Sequence, residues 1–247
     1  MTKKLKKIIF HVSCLAAAFA AGAANAANSD YENYNSREKL DTINPLFFTA
    51  ANDFLSKTDI SFASRSQLNI NQQFVYGMNS KLALSVDLDY RESINDRHDG
   101  FDGVGLGLAY RTSGQGKFIT DLLAGYKFSG TRRVYEFAND VYYAGIRMGW
   151  RWSRITLAGE LKTSWIFDND AGEAFINFTP SAYFNITDTW SAGAGFDFKK
   201  SVHPSMDENW MNFMVSKRYE RTVYAGYFDY GLGDSHYRVG FKLNILF

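Results

Sequence analysis

The sequence predicts an all-β protein, an antiparallel up-and-down β-barrel of twelve strands. Apolar and polar residues alternate along most of the chain after residue 51, which is the pattern of strands with one apolar and one polar face. Aromatic residues make up 17% of the chain and only three residues are proline, a composition that suits many strands. The mean hydropathy of −0.27 fits a barrel wall in which only alternate residues face lipid.

The first 26 residues predict a cleaved signal peptide. Four lysines between positions 3 and 7 precede an apolar run over 8–19 and a small-residue stretch over 20–27. Ala24-Asn25-Ala26 fits the A-x-A cleavage pattern, so we place the cut after about Ala26. The apolar run is too short to be a membrane-spanning helix.

Cleavage after Ala26 changes the charge and removes the single cysteine. The four lysines leave with the signal peptide, so Lys+Arg falls from 27 to 23 against 26 Asp+Glu, a formal charge of −3. Without a basic excess the exported chain has no electrostatic footprint for nucleic acid. The loss of Cys14 excludes disulfides, thiolate metal sites and a cysteine nucleophile.

The mature chain divides into an irregular, polar N-terminal arm over 27–51 and a barrel domain over 52–247. The twelve outward stripes cover residues 54–62, 68–76, 82–90, 104–110, 118–128, 142–152, 155–167, 176–184, 190–198, about 209–216, about 222–230 and 236–247. The tenth and eleventh alternate less clearly, so counts of ten and fourteen strands stay as alternatives. Pro180 cannot donate a ladder hydrogen bond, and a bulge is expected there.

An even number of strands places both chain ends on one side of the barrel. The turns on that side are then 77–81, 112–116, 153–154, 185–189 and 217–221, and the loops on the other side are 63–66, 92–100, 129–140, 168–173, 201–208 and 231–235. Outward aromatics gather near both sides: Tyr76, Tyr110, Phe118, Trp150, Trp152, Phe184, Trp190 and Phe247 on the first, and Phe62, Tyr90, Tyr126, Phe128, Trp165, Phe167, Phe196 and Phe198 on the second. Two aromatic girdles around an aliphatic band predict a transmembrane barrel rather than a soluble sandwich.

The last strand carries the clearest signal. One face holds Tyr237, Val239, Phe241, Leu243, Ile245 and the terminal Phe247. An alternating strand that ends in phenylalanine resembles the closing strand of Gram-negative outer-membrane β-barrel proteins, and the alternation extends this resemblance over the mature chain without indicating a subfamily. The resemblance implies residence in the cell outer membrane, contact with its lipid and lipopolysaccharide, and recognition of these six residues by the barrel-assembly machinery. The polar, irregular arm is then expected either in the periplasm or in the lumen.

The inward face of the predicted barrel is polar and carries both signs of charge. The predicted lumen-lining residues are Asp87, Asp89, Arg91, Arg111, Asp121, Lys127, Arg147, Arg151, Glu160, Lys162, Asp197, Arg238 and Lys242. One interpretation is a solvated, salt-bridged interior. The other is a charge-lined pore in which arginines 111, 147, 151 and 238 oppose aspartates 87, 89 and 121. Inward Gly105, Gly107, Gly193 and Gly195 leave space that either forms the pore or is filled by Tyr143, Tyr183, Phe175 and the arginines.

The resemblance implies passive passage of small solutes through a porin-like channel. A closed barrel with a structural or surface-interaction role is the alternative, and the arm is the candidate plug. A hydrolase at the outer rim is a third hypothesis, suggested only by His98-Asp99 and Asp102. We predict no catalytic residues, cofactor or metal site, because the remaining histidines are scattered through loops. Near the outer rim lie four basic residues that either belong to solvated loops or meet lipopolysaccharide phosphates: Arg132, Arg133, Lys199 and Lys200. The oligomeric state stays open.

Overall fold

The structure is a computed structural model that describes residues 41–64, 67–93, 100–113, 117–129, 140–166, 173–201, 208–233 and 236–247. The predicted signal peptide (1–26) and the first part of the arm (27–40) lie outside the described residues. No helix in the described part of the chain is long and apolar enough to cross a membrane.

The described residues form one closed antiparallel barrel of twelve strands, as predicted. The strands are β1 (Phe54–Ala63), β2 (Gln67–Gly77), β3 (Leu82–Ser93), β4 (Gly100–Ser113), β5 (Phe118–Ser129), β6 (Val141–Arg151), β7 (Ile155–Ile166), β8 (Glu173–Asn185), β9 (Trp190–Ser201), β10 (Glu208–Tyr219), β11 (Thr222–Gly231) and β12 (Tyr237–Leu246). Each strand pairs with its sequence neighbours, and β1 closes the barrel on β12. We call the side where β1 begins and β12 finishes the terminal end, and the opposite side the loop end.

The tenth strand is longer than predicted, because its polar residues continue the alternation instead of forming a turn. The turn shrinks from the predicted 217–221 to Glu220 and Arg221, and Glu220 adopts a positive φ of 51°. Lys217 faces outward with its ammonium 5.1 Å from the centroid of the Trp190 ring. Arg218 donates a hydrogen bond of 2.7 Å to the carbonyl oxygen of Asp188.

The prediction of a bulge at Pro180 is wrong. The register between β8 and β9 is the same on both sides of the proline, with Phe178 opposite Phe198 and Ser181 opposite Gly195. The missing N–H interrupts the hydrogen bonds between β8 and β9 without shifting their register. On the other side of β8 the pairing with β7 is also regular, with Pro180 opposite Gly159. Two register shifts occur instead, both on β4. One lies opposite Asp89 and Tyr90 of β3. The other lies between Arg111 and Ser113, in the pairing with β5.

The outward face is apolar and carries large aromatics near both ends. Exposed aromatics at the terminal end are Phe54, Tyr76, Tyr110, Trp150, Trp152, Phe184, Trp190, Tyr219 and Phe247, and those at the loop end are Phe62, Tyr90, Phe101, Phe128, Tyr142, Phe196, Phe198, Tyr230 and Tyr237. The other exposed aromatics, most of which lie further from the strand ends, are Phe178, Phe213, Tyr224, Phe228 and Phe241. The polar outward side chains of the first two strands bond to one another. Thr58 donates to the Gln72 oxygen at 2.6 Å, and the Gln72 nitrogen donates to Ser56 at 2.9 Å. These bonds satisfy groups that lipid could not.

Tyrosines cover several of the inward glycines. A Cβ on Gly125 would come within 2.3 Å of the Tyr143 ring, and a Cβ on Gly240 would come as close to the Tyr227 ring. The Tyr143 hydroxyl also reaches over Gly107, and Tyr183 packs beside Gly193. The glycines therefore make room for aromatic rings, which fill part of the lumen.

Candidate functional site: the lumen and the N-terminal arm

Residues 41–50 lie inside the barrel and cross its terminal end. The Asn44 amide donates to the Thr156 hydroxyl of β7 at 2.8 Å, and the Asn244 amide of β12 donates to the Thr42 carbonyl at 3.1 Å. Leu46 is 0% exposed and Phe48 only 3%. This segment, which we call the inner arm, thus contacts opposite sides of the wall and narrows the lumen.

Arg111 joins the inner arm to the wall. Its Nη2 donates to the carbonyl oxygen of Leu46 at 3.0 Å, and its guanidinium lies 4.5 Å from the centroid of the Phe48 ring. The same side chain binds Asp121, with Nε 2.6 Å from Oδ1. One buried arginine therefore holds a wall carboxylate, an arm carbonyl and an arm aromatic ring together.

A second contact holds the start of the inner arm. Asp41 accepts hydrogen bonds from the Tyr183 hydroxyl at 2.6 Å and from the Ser191 hydroxyl at 3.2 Å. The Tyr183 hydroxyl also lies 2.9 Å from the Ser216 hydroxyl. Since Tyr183 is 3% exposed, this cluster is packed against the wall between β8, β9 and β10.

The junction between the inner arm and β1 requires a glycine at position 77. The Gly77 carbonyl accepts from the Asn52 N–H at 2.7 Å, and the Gly77 N–H donates to the Asp53 carbonyl at 3.0 Å. Asn52 adopts a positive φ of 64°. A Cβ on Gly77 would lie 1.8 Å from the backbone oxygen of Ala50, so no other residue fits without moving the arm.

Most of the predicted lumen charges form ion pairs within the wall. Asp121 binds both Arg111 and Arg147, each with a shortest N–O distance of 2.6 Å. The other pairs are Lys127–Asp89 at 2.8 Å, Lys162–Glu160 at 3.7 Å, Arg238–Asp229 at 2.6 Å and Lys242–Asp59 at 3.6 Å. The partners sit on the same or adjacent strands, except that Lys127 of β5 reaches across β4 to Asp89 of β3. Arg111 and Arg147 do not oppose Asp121 across a pore but bond to it directly.

The remaining predicted residues are spread along the barrel. Asp87 accepts a hydrogen bond of 2.5 Å from the Gln73 amide. Arg91 lines the loop end of the lumen, and Arg151 is half-buried at the terminal end. Asp197 faces the middle of the lumen.

The charged lumen residues that were not predicted include Lys57, Asp59, Glu208 and Asp229. Asp229 is 2% exposed and accepts from Arg238 and from the Asn212 amide, while Asp59 accepts from the Tyr227 hydroxyl at 2.7 Å. Strand parity alone could have found them, because Asp59 lies between two outward residues of β1 and Asp229 between two outward residues of β11.

Among the described residues, the lumen contains at least four cavities. The main cavity, about 430 Å³, lies beside β8–β12 and is bounded by Asp197, Tyr227 and Arg238, with Ile43 and Pro45 of the inner arm. It shares Asn69, Asn71 and Arg238 with a loop-end cavity of about 320 Å³.

The other two cavities adjoin the inner arm. A cavity of about 270 Å³ lies between Phe47–Thr49 and the wall residues Lys57 and Arg147. A terminal-end cavity of about 430 Å³ is lined by Asp41, Ser191 and Arg218, and the Asp41–Tyr183 cluster separates it from the main cavity.

The hydrolase hypothesis falls on residues outside the described part. His98, Asp99 and His203 are not described, and the same holds for the side chain of Asp102. Among the described residues, no three His, Cys, Asp or Glu side chains group in a way that could hold a metal ion.

Solved structures share this fold, although no protein-family model and no curated protein matches the chain. The NanC porin superposes with a TM-score of 0.60 at 9% identity over 77% of this chain and 98% of its own. An outer membrane channel from Pseudomonas putida F1 gives 0.65 at 8% identity over 84% and 100%, and the KdgM porin in complex with disordered oligogalacturonate gives 0.60 at 10% over 76% and 97%. The fold is therefore that of porin-like β-barrels.

Proposed function

We propose that this protein is an outer-membrane channel for the passive passage of small polar solutes, narrowed at its periplasmic side by the inner arm. The observation that carries the proposal is a chain of cavities with charged residues in their walls, inside a barrel whose outer face is apolar and girdled by aromatics. The terminal end faces the periplasm in this proposal, since both ends of an even-stranded bacterial barrel lie there. The proteins named above that share the fold are porins and a channel.

A closed barrel is the competing function, and the packing of the inner arm favours it. Leu46 and Phe48 are as buried as core residues, and Arg111 and Asp41 bond the arm to the wall. The two functions differ in one measurable property, which is whether the lumen conducts ions with the arm in place or only after the arm has been displaced.

Conductance across planar bilayers tests the proposal. We expect the refolded mature chain (27–247) to conduct weakly, and deletion of 27–51 to raise the conductance severalfold, because the arm crosses the terminal end. The point variant Gly77→Val should act in the same direction, since its side chain overlaps the backbone oxygen of Ala50. Gly226→Val is the matched control, because a Cβ there meets nothing within 4 Å.

The outcomes separate the two functions. Correctly folded protein that seals the bilayer, with and without residues 27–51, would overturn the channel. Conductance that appears only after deletion, and with Gly77→Val, would make the arm a plug. Equal conductance in all variants would support the channel and remove the arm as its constriction.

The cellular context belongs to the same proposal. Residues 1–26 direct export, the C-terminal strand is read by the barrel-assembly machinery, and lipid and lipopolysaccharide surround the wall. Of the two basic residues predicted at the loop-end rim that are described, Lys200 is exposed on the outer face and can meet a phosphate. Lys199 points inward, with its ammonium 4.7 Å from the Phe175 ring centroid and 4.0 Å from Glu208. We propose no catalytic role.

A further inference from the structure

Asp197 differs from the other lumen carboxylates whose side chains are described. Six of those, at positions 59, 89, 121, 160, 208 and 229, have a cation within 4.0 Å. Asp87 has no ion pair but accepts a short hydrogen bond from Gln73. Asp197 has neither, and its Oδ1 is buried without a hydrogen-bond partner.

The cations around Asp197 are occupied elsewhere. Lys199, two residues along β9, turns to Glu208 and to the ring of Phe175. Arg238 is bound to Asp229 and lies over the Trp210 ring at 5.3 Å. Lys162 is paired with Glu160 and lies over Tyr143. Among the described residues, the wall therefore places no cation within ion-pair distance of this carboxylate.

A second acceptor without a partner lies beside it. The Oδ1 of Asn177 on β8 is also buried with no hydrogen bond. Asn177 is opposite Lys199 in the register, so it is a diagonal neighbour of Asp197, about 7–8 Å away between Cα atoms. Of these two neighbouring acceptors, Asp197 lines the main cavity. A ligand in that cavity that donates hydrogen bonds would therefore give its carboxylate the partner that the wall does not.

The chemistry of the pair selects the ligand. A carboxylate only accepts hydrogen bonds, an amide oxygen only accepts, and a primary ammonium group has three donors. Hydrogen bonds between opposite charges are the stronger ones, which favours an ammonium over a neutral hydroxyl. We infer that Asp197, with Asn177 beside it, forms a binding site at the main cavity for small solutes that carry a primary ammonium group.

This inference rests on the proposed function only in that the solute has to enter the lumen. Binding is measured on mature protein refolded in detergent micelles, which leave both ends of the barrel accessible. Three probes of similar size are titrated by calorimetry in an amine-free buffer: ethanolamine, ethylene glycol and glycolate. We expect one ethanolamine per barrel, bound weakly in the millimolar range but more tightly than the neutral or the anionic probe.

Variants separate the site from the overall charge of the lumen. Asp197→Asn should weaken ethanolamine binding at least about tenfold, the usual scale for a hydrogen bond to a charged group. Asn177→Leu should weaken it less. Asp59→Asn is the matched control, because it changes the charge of the same cavity equally but removes a carboxylate that Lys242 and Tyr227 already hold. Gel mobility confirms that each variant is folded.

Each outcome decides the inference. Loss of binding in Asp197→Asn with retention in Asp59→Asn supports it. Equal loss in both variants, or no preference for ethanolamine in the unmodified protein, overturns it. Conductance of the same preparations tells the two proposals apart: a conducting barrel that binds no ethanolamine rejects this site alone, whereas a sealed barrel that binds it rejects the channel alone.

Discussion

Replacement of Asp121 by alanine should lower the free energy of unfolding by about 3 kcal/mol, the lower part of the range for a broken buried ion pair. The side chain of Asp121 is 0% exposed and binds arginines that are 3% and 20% exposed, so the change leaves two cations without their anion. Because Arg147 is partly exposed, we expect a loss of unfolding free energy at the lower end of that range. Urea unfolding of the refolded barrel, followed by tryptophan fluorescence, measures it.

The same variant should also loosen the inner arm, because Arg111 loses the carboxylate that orients it towards Leu46 and Phe48. Glu160→Gln is the control. Its pair with Lys162 is longer, at 3.7 Å, and both side chains are about a third exposed, so a loss below about 1 kcal/mol is expected. Equal losses in the two variants would show that the buried cluster contributes nothing beyond an ordinary exposed pair.

Replacement of Phe247 by aspartate should abolish insertion in cells and leave the protein in periplasmic aggregates. Phe247 is 60% exposed, and its ring lies 5.9 Å from that of Phe54 at the β1–β12 seam. An acidic residue near a membrane interface destabilises a folded barrel by only about 0–1 kcal/mol. Loss of insertion would therefore come from failed recognition by the assembly machinery.

Two comparisons distinguish recognition from stability. Phe247→Asp should still refold into detergent micelles without any machinery, as seen by gel mobility. Tyr219→Asp places the same charge on a side chain that is 66% exposed at the same end of the barrel, but away from the C-terminus, and should insert in cells. Normal insertion of Phe247→Asp would refute the assembly signal, and its failure to refold in micelles would attribute the defect to stability.

Strand number, direction and facing could be predicted from the sequence because a barrel in lipid imposes one rule on every residue. Each side chain faces either hydrocarbon or lumen, so the apolar Leu84 is assigned to the outer face and the charged Asp87 to the lumen. The rule is weakest where outward residues are polar, as with Lys217, and there the predicted end of β10 was too early. It also says nothing about bulges, which depend on local backbone geometry near Gly103 and Thr112.

The contacts inside the lumen could not be predicted in the same way. The arginines that bind Asp121 are determined by the register of β4, β5 and β6. The alternation of the sequence predicts which residues face inward, but it does not predict which of them lie opposite one another. The position of the inner arm depends on contacts such as Asn44–Thr156 between residues that no periodic pattern connects. Asp197 was identified as inward, but its lack of an ion pair became visible only when the partners of Lys199 and Arg238 were known.

The position of the inner arm also bears on the order in which contacts form during folding. Every seam of the wall except β1–β12 joins strands that are adjacent in sequence, whereas the contacts of the arm span 112 residues to Thr156 and 202 to Asn244. Contacts between distant positions form late, because closing a long loop costs conformational entropy. We therefore expect the arm to settle late, at the same stage as closure of the β1–β12 seam, whose paired residues, such as Leu55 and Leu246, lie about as far apart in the chain.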